Sequence, residues 1–366
     1  MINNKQTPKH GGSLNQAIKK YTTQEQQIPA HKWLDLSTGI NPNGWPAPKI
    51  PQHIYNRLPE IDDGLEKIAQ EYYQVAELLT VSGTQEAIQL LPRIFQEILS
   101  NNINKEHSIT PKIGIISPCY SEHAFQWQRY GFDLIALTSQ RVEHIISELD
   151  VLIIINPNNP TGEVIHHSII EKWLAVLQSN KAYLIIDEAF MDSTPEQSIL
   201  KNLSIPNRKN LIVLRSIGKF FGLAGVRCGF VIAQQEILSL LSYYQGPWSV
   251  SGPTRWIVKK ALSDRYWIEK NIEQLPYAAK QLEALLTQTF CSQKGAVFIN
   301  GTTLFKTVFF NNTQVSCLWF EHLAHHGVLV RLLDNKQGLR FGLPKDVPQW
   351  QHLERVLKLK PQKVAQ

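Results

Sequence analysis

Lys219 stands in Ser216-Ile217-Gly218-Lys219-Phe220-Phe221-Gly222-Leu223-Ala224-Gly225-Val226-Arg227, directly after an apolar run over 211–214. A hydroxyl three residues before a lysine and an arginine eight residues after it can bracket a phosphate. The amine then stays available for covalent chemistry with a carbonyl. The preceding run has strand length and composition, so the lysine is expected just beyond a strand end, where open α/β sheets bind ligands. An isolated Ser-x-x-Lys would be a surface lysine in a glycine-rich loop. Here two other strand-like runs end in complementary groups. The run over 182–186 leads into Asp187-Glu188-Ala189-Phe190, and 151–155 leads into Asn156-Pro157-Asn158-Asn159-Pro160-Thr161-Gly162. Three strand ends thus offer an amine, an acid and an amide.

That set is the protein half of a pyridoxal phosphate site, in which an acid keeps the pyridine nitrogen protonated and sharpens the cofactor as an electron sink. The order and spacing of Asn-Pro-Thr-Gly, Asp-Glu-Ala and Ser-x-x-Lys resemble the fold-type I, class I/II aminotransferase superfamily, with matches from about residue 10 to 340. The resemblance implies pyridoxal 5'-phosphate as cofactor, Lys219 as its covalent attachment, Asp187 on the pyridine N–H and Asn159 on the phenolic oxygen. It also places Tyr120 over the cofactor ring. Ser82-Gly83-Thr84 precedes a helix-like stretch, and the N–H groups of a helix N-terminus bind phosphate well. Alone this is an ordinary cap sequence. With Ser216 and Arg227 it resembles the family's phosphate cup.

Two departures matter within the superfamily. Relatives that transaminate histidinol phosphate carry a tyrosine three residues after the pyridine-binding acid, where this chain has Phe190. They also show Arg-Tyr-Pro-Asp, where this chain has Arg57-Leu58-Pro59-Glu60. Three segments instead resemble threonine-phosphate decarboxylases of cobalamin biosynthesis. These are His10-Gly11-Gly12 with Asp35-Leu36-Ser37-Thr38-Gly39-Ile40-Asn41-Pro42, then Asp187–Phe190, then Pro247-Trp248-Ser249-Val250. By that resemblance the reaction is decarboxylation of L-threonine O-3-phosphate to (R)-1-amino-2-propanol O-2-phosphate. Arg340 is then expected to take the substrate carboxylate with Asn159. Arg331 and His10 take the phosphate, and Gly39 lines the substrate. Guanidinium forks match both anions. The alternatives are a histidinol-phosphate-type aminotransferase and a non-catalytic cofactor-binding subunit of the corrinoid pathway.

Composition narrows the partners. Of the 366 residues, 43% are hydrophobic and 19% charged, as in an ordinary globular protein. The net charge of +6 comes from scattered basic residues without a block of five or six. That argues against nucleic acid and suits small anionic substrates. Cys119, Cys228, Cys291 and Cys317 show no redox or metal spacing, and neither His166-His167 nor His325-His326 fits a metal motif. A cytoplasmic protein without metal is expected, with no membrane span and no signal peptide. The family's habit of sharing sites between subunits implies a homodimer.

The elements that must position these residues alternate. Helix-like stretches at Leu65–Tyr73, 84–99, 121–130 and 167–178 separate strand-like runs at Ile113–Ile116, 151–155, 182–186 and 211–214. This predicts an α/β fold: a mostly parallel central sheet with helices on both faces. A long helical pattern over 253–288 then leads to a smaller C-terminal α+β domain with strands at 308–310, 328–332 and 338–341. The expected organisation is an N-terminal arm (1–35), a large cofactor-binding domain (36–250), and a linking helix with the small domain (251–366).

Overall fold

The runs ending at Asp187, Ser216 and Ile155 are adjacent strands of one seven-stranded sheet in the computed structural model, which describes residues 7–22, 28–102, 111–202, 208–290 and 296–361. The order across the sheet is Leu79–Val81, Gly229–Ile232, Leu211–Ser216, Tyr183–Asp187, Val151–Ile155, Ile113–Ile116, Leu134–Leu137. Gly229–Ile232 runs antiparallel to both neighbours, and the other pairings are parallel. Every residue of Val151–Ile155 and Leu211–Ser216 is buried. Strands covered on both faces lose polar alternation, which is why they read as continuous apolar runs.

The pleat sends alternate residues to opposite faces. Ile153, Ile185, Ile212 and Leu214 join Ile88, Leu91 and Phe95 of helix Thr84–Asn102, Trp127 of Ser121–Arg129 and Leu238 of Gln235–Gln245 in one core. Helix His167–Ser179 packs against Tyr183–Asp187 and buries Ile170, Trp173, Leu174 and Leu177. These elements belong to a unit comprising Gly44–Asn159 and Glu163–Asn271.

A second unit comprises Met1–Asn43, Pro160–Gly162 and Ile272–Gln366; the sequence reading had put its divisions after residues 35 and 250. Its four-stranded antiparallel sheet runs Arg331–Leu332, Gly338–Gly342, Phe305–Phe310, Ala296–Gly301, and Leu34–Asp35 pairs in parallel with Val328–Leu329. The stretch read as an arm contains helix Leu14–Tyr21. Ala17, Tyr21 and Trp33 bury against Ala324 and Leu329. Leu14, Ala17, Ile18 and Tyr21 fall at helical spacing, a signal that one short helix hides among polar neighbours. The pattern over 253–288 is two helices, Gly252–Ser263 and Arg265–Phe290. Asp264 breaks it: its Oδ1 accepts the Trp267 N–H at 3.0 Å and its Oδ2 accepts the Trp45 indole N–H at 2.9 Å. Among the described residues no helix is long and apolar enough to cross a membrane.

Behind the sheet's functional edge lies a buried ion cluster. Arg215 donates to Glu188 at 2.5 Å and also to Asp192, with all three side chains almost wholly enclosed. Burial disfavours the Arg215 charge, but Asp192 and Glu188 outweigh it and hold the guanidinium pKa above its ordinary value. Removing one member of such a cluster strands uncompensated charge. Arg215→Ala is expected to lower stability by about 3–5 kcal/mol, read from the denaturant midpoint; an unchanged midpoint contradicts this account.

Candidate active site

Asp187 and Leu214 lie opposite each other in register, and Ser216 is two residues beyond Leu214. Side chains two apart share a face, so Asp187 and Ser216 project to the same side while Glu188 and Arg215 project to the other. The Glu188–Arg215 ion pair bears this out. Asp187 is 4% exposed. Its Oδ1 accepts the Ala189 N–H at 2.9 Å, and its Oδ2 accepts from His123 Nε2 at 3.0 Å. An acid held this way has a fixed direction. Beside it, burial first and Asp187 second push the Cys119 thiol up to about 12, so it stays protonated at neutral pH. Asn159 follows Val151–Ile155 by four residues and ends its segment of the large unit.

Lys219 sits in the turn after Leu211–Ser216 and is half-buried. Ile217, Phe220 and Phe221 on either side of it are fully buried. Phe221 stacks on Trp267 at 5.5 Å between centroids, Phe220 meets the same indole edge-on at 5.4 Å, and the Phe221 carbonyl accepts the Trp45 N–H at 2.8 Å. These anchors hold the turn and leave the lysine partly accessible. The amine lies 5.2 Å from the Phe190 ring centroid, so an aromatic face neighbours it where histidinol-phosphate transaminases have a phenol.

The phosphate cup assembles across one strand: Val81 pairs with Gly229, and Gly229 pairs with Ser216. A Cβ on Gly83 (φ +76°) would lie 2.7 Å from Arg227 Nη2, and one on Gly229 would lie 2.9 Å from the Thr84 nitrogen. Glycine at both positions lets the Arg227 guanidinium and the backbone at Thr84 approach closely, which brings a cation to a helix N-terminus. Ser82 N–H donates to Glu86 Oε2 at 2.6 Å, and the Gly218 N–H donates to Ser216 Oγ at 3.2 Å. Tyr120 precedes helix Ser121–Arg129. Its hydroxyl donates to Gln85 Oε1 at 3.2 Å, and Gln85 in turn donates to Glu122 at 2.7 Å. Sequence reasoning missed His123 and this Gln85–Glu122 support. Only the fold reveals them, because His123 and Asp187 are 64 residues apart.

Of the substrate candidates, His10, Gly39, Arg331 and Arg340 lie in the smaller unit and Asn159 in the larger. Arg331 and Arg340 are direct cross-strand partners. Like charges directly opposite destabilise a sheet, so each guanidinium calls for partners that offset it. Arg340 is 6% exposed, stands 5.3 Å from the Phe305 ring centroid and donates to the Ser37 carbonyl at 2.5 Å. Arg331 donates to the Lys9 carbonyl at 2.6 Å and to Asp334 at 2.7 Å, which brings it to the residue preceding His10. Gly39 adopts φ +62°. Arg57 pairs with Glu60 on the surface of the large unit. Cys119, Cys228 and Cys317 are free thiols, and Cys291 lies outside the described residues.

The aminotransferase class I and II family model matches residues 47–336. This chain belongs to that family. A threonine-phosphate decarboxylase of Pseudomonas aeruginosa is 39% identical over 348 residues, covering 95% of this chain and 96% of its own length. A histidinol-phosphate aminotransferase of Blochmanniella pennsylvanica is 30% identical over 271 residues, covering 72% of this chain and 71% of its own. The solved histidinol-phosphate aminotransferase of Sinorhizobium meliloti, in complex with pyridoxal-5'-phosphate, shares the fold at a TM-score of 0.77 and 13% identity over 96% of each chain.

The chain is a pyridoxal-phosphate-dependent enzyme, and its residues fit the cofactor. Arg227 and the helix start at Thr84 offer donors to a phosphate, the fixed Asp187 carboxylate suits a pyridinium N–H, and Lys219 offers the amine. Lys219→Ala is expected to remove covalent cofactor attachment. A borohydride-reduced cofactor adduct that still forms on the variant would overturn the assignment.

Proposed function

We propose that this protein decarboxylates L-threonine O-3-phosphate, releasing carbon dioxide and (R)-1-amino-2-propanol O-2-phosphate for cobalamin biosynthesis. The observation that carries the proposal is the Arg331–Arg340 cross-strand pair. Arginines at directly paired strand positions suit a substrate with two anionic ends. Threonine phosphate has a carboxylate and a phosphate, whereas histidinol phosphate has only the phosphate. The threonine-phosphate decarboxylase similar over nearly the full length supports the same choice.

Bound pyridoxal phosphate supplies an electron sink for whichever bond at the substrate's α-carbon stands perpendicular to its ring. In this reading Asp187, oriented by His123, would hold the pyridine N–H, with Asn159 a donor to the phenolic oxygen and Tyr120 beside the ring. Ser216, Arg227 and the Gly83-Thr84 helix start would hold the cofactor phosphate. Lys219 would attach the cofactor and, when released, move a proton at the substrate's α-carbon. Arg340 grips the carboxylate and so sets which bond breaks, while Arg331 and His10 read the phosphate and Gly39 allows close backbone approach. A cytoplasmic homodimer completes the proposal. Its motivation is the exposed apolar side chains Tyr55, Leu58, Ile61 and Trp248, which a second subunit would cover; sedimentation of the active enzyme reads this directly.

Threonine phosphate supplied without an oxo-acid should yield carbon dioxide. Losing a charge-assisted contact in a desolvated site costs about 2–5 kcal/mol, so the arginine variants should separate the two ends. Arg331→Ala should weaken threonine phosphate far more than unphosphorylated threonine, and Arg340→Ala should weaken both alike. The reverse pattern would exchange their roles. Equal binding in both variants would remove the basis for a substrate with two anionic ends, and turnover that requires an oxo-acid would favour an aminotransferase.

A further inference from the structure

Ser37 lies in a segment that the sequence singles out but receives no role from it, yet every polar group it has is engaged while it is 2% exposed. Its N–H donates to Asp35 Oδ1 at 2.9 Å and its hydroxyl donates to the same oxygen at 2.6 Å. With the hydroxyl proton committed, Oγ faces outward as an acceptor and takes the Gly12 N–H at 2.7 Å. Its carbonyl takes Arg340 Nη2 at 2.5 Å. The base beneath Ser37 is fixed: Leu36 N–H donates to Leu329 O at 2.8 Å, and Gly342 N–H donates to Leu36 O at 2.7 Å.

The N-terminal segment lies flush on this residue. A Cβ on Gly11 would come 2.3 Å from the Ser37 carbonyl oxygen, a contact that backbone on backbone cannot relieve without moving the segment. Two residues earlier the Lys9 carbonyl holds Arg331. Residues 9–12 therefore run from Arg331 at one end to Ser37, the acceptor for Arg340, at the other. His10 lies between the two attachments.

We infer that Ser37 is a positioning residue for the phosphate end of the substrate, a latch that fixes His10 and the Lys9–Arg331 contact through its bond to Gly12. The inference rests on the proposed function for its choice of ligand. Removing the hydroxyl frees the segment while leaving the carbonyl on Arg340. The carboxylate grip should then survive and the phosphate grip should weaken.

The test compares wild-type holoenzyme with Ser37→Ala and, independently, Gly11→Ala. Amide hydrogen exchange over residues 7–13 should rise about tenfold or more in both variants, as expected when a buried hydrogen bond is lost. In Ser37→Ala, which leaves the Ser37 carbonyl on Arg340, the dissociation constant for threonine phosphate should rise by about tenfold, that for L-threonine should change less than about twofold, and KM should move more than kcat. Unchanged exchange over 7–13 in both variants overturns the latch, as does faster exchange in Ser37→Ala with equal weakening of the two ligands. Should the wild type bind no threonine phosphate, the proposed function fails, and the exchange comparison still decides whether Ser37 holds the segment.

Discussion

The pleat of two neighbouring strands, Tyr183–Asp187 and Leu211–Ser216, is the constraint on which the site depends. Because alternate residues face opposite sides, the last residues of both strands divide into two sets. Asp187 and Ser216 share one face. Glu188 and Arg215 face away and bind each other, with Asp192 completing the cluster. A one-residue slip in either strand would exchange the sets and break the buried Glu188–Arg215 pair. The charged cluster therefore fixes register as well as contributing contacts. The lysine turn follows from the same register, since Ile217, Phe220 and Phe221 can bury only where Ser216 ends the strand.

The smaller unit accepts a different constraint. Arg331 and Arg340 face each other across antiparallel strands, an arrangement that a sheet built for stability alone would avoid. Their donors are met by the backbone carbonyls of Lys9 and Ser37, which carry no formal charge, and on Arg331 by Asp334 as well. Asp334 offsets the charge of Arg331, and the carbonyls of Lys9 and Ser37 fix the directions of the two guanidinium groups.

Much of this was legible in the sequence because the functional strands are buried on both faces and end abruptly in polar residues. Asp187, Asn159, Ser216 and Lys219 could be placed at strand ends from composition alone, and their mutual order pointed to one cofactor. The short strands Leu79–Val81 and Gly229–Ile232 carry too few residues for a period to show, although they bring Gly83 to Arg227. His123 and Ser37 were invisible for another reason. Each acts through a partner distant in sequence, Asp187 for the first and Gly12 and Arg340 for the second, and no local spacing encodes such a bond. The division at Asp264 was missed because helical periodicity continues on both sides of a residue whose side chain ends one helix and starts the next.

What separates the two chemistries open to this fold is which bond at the α-carbon lies perpendicular to the cofactor. Threonine phosphate deuterated at the α-carbon reads that choice directly. If Arg340 holds the carboxylate in the breaking position, the aminopropanol phosphate formed will retain its deuterium while one carbon dioxide is released per turnover. Deuterium lost to solvent, with an oxo product that keeps its carboxylate, would contradict the account.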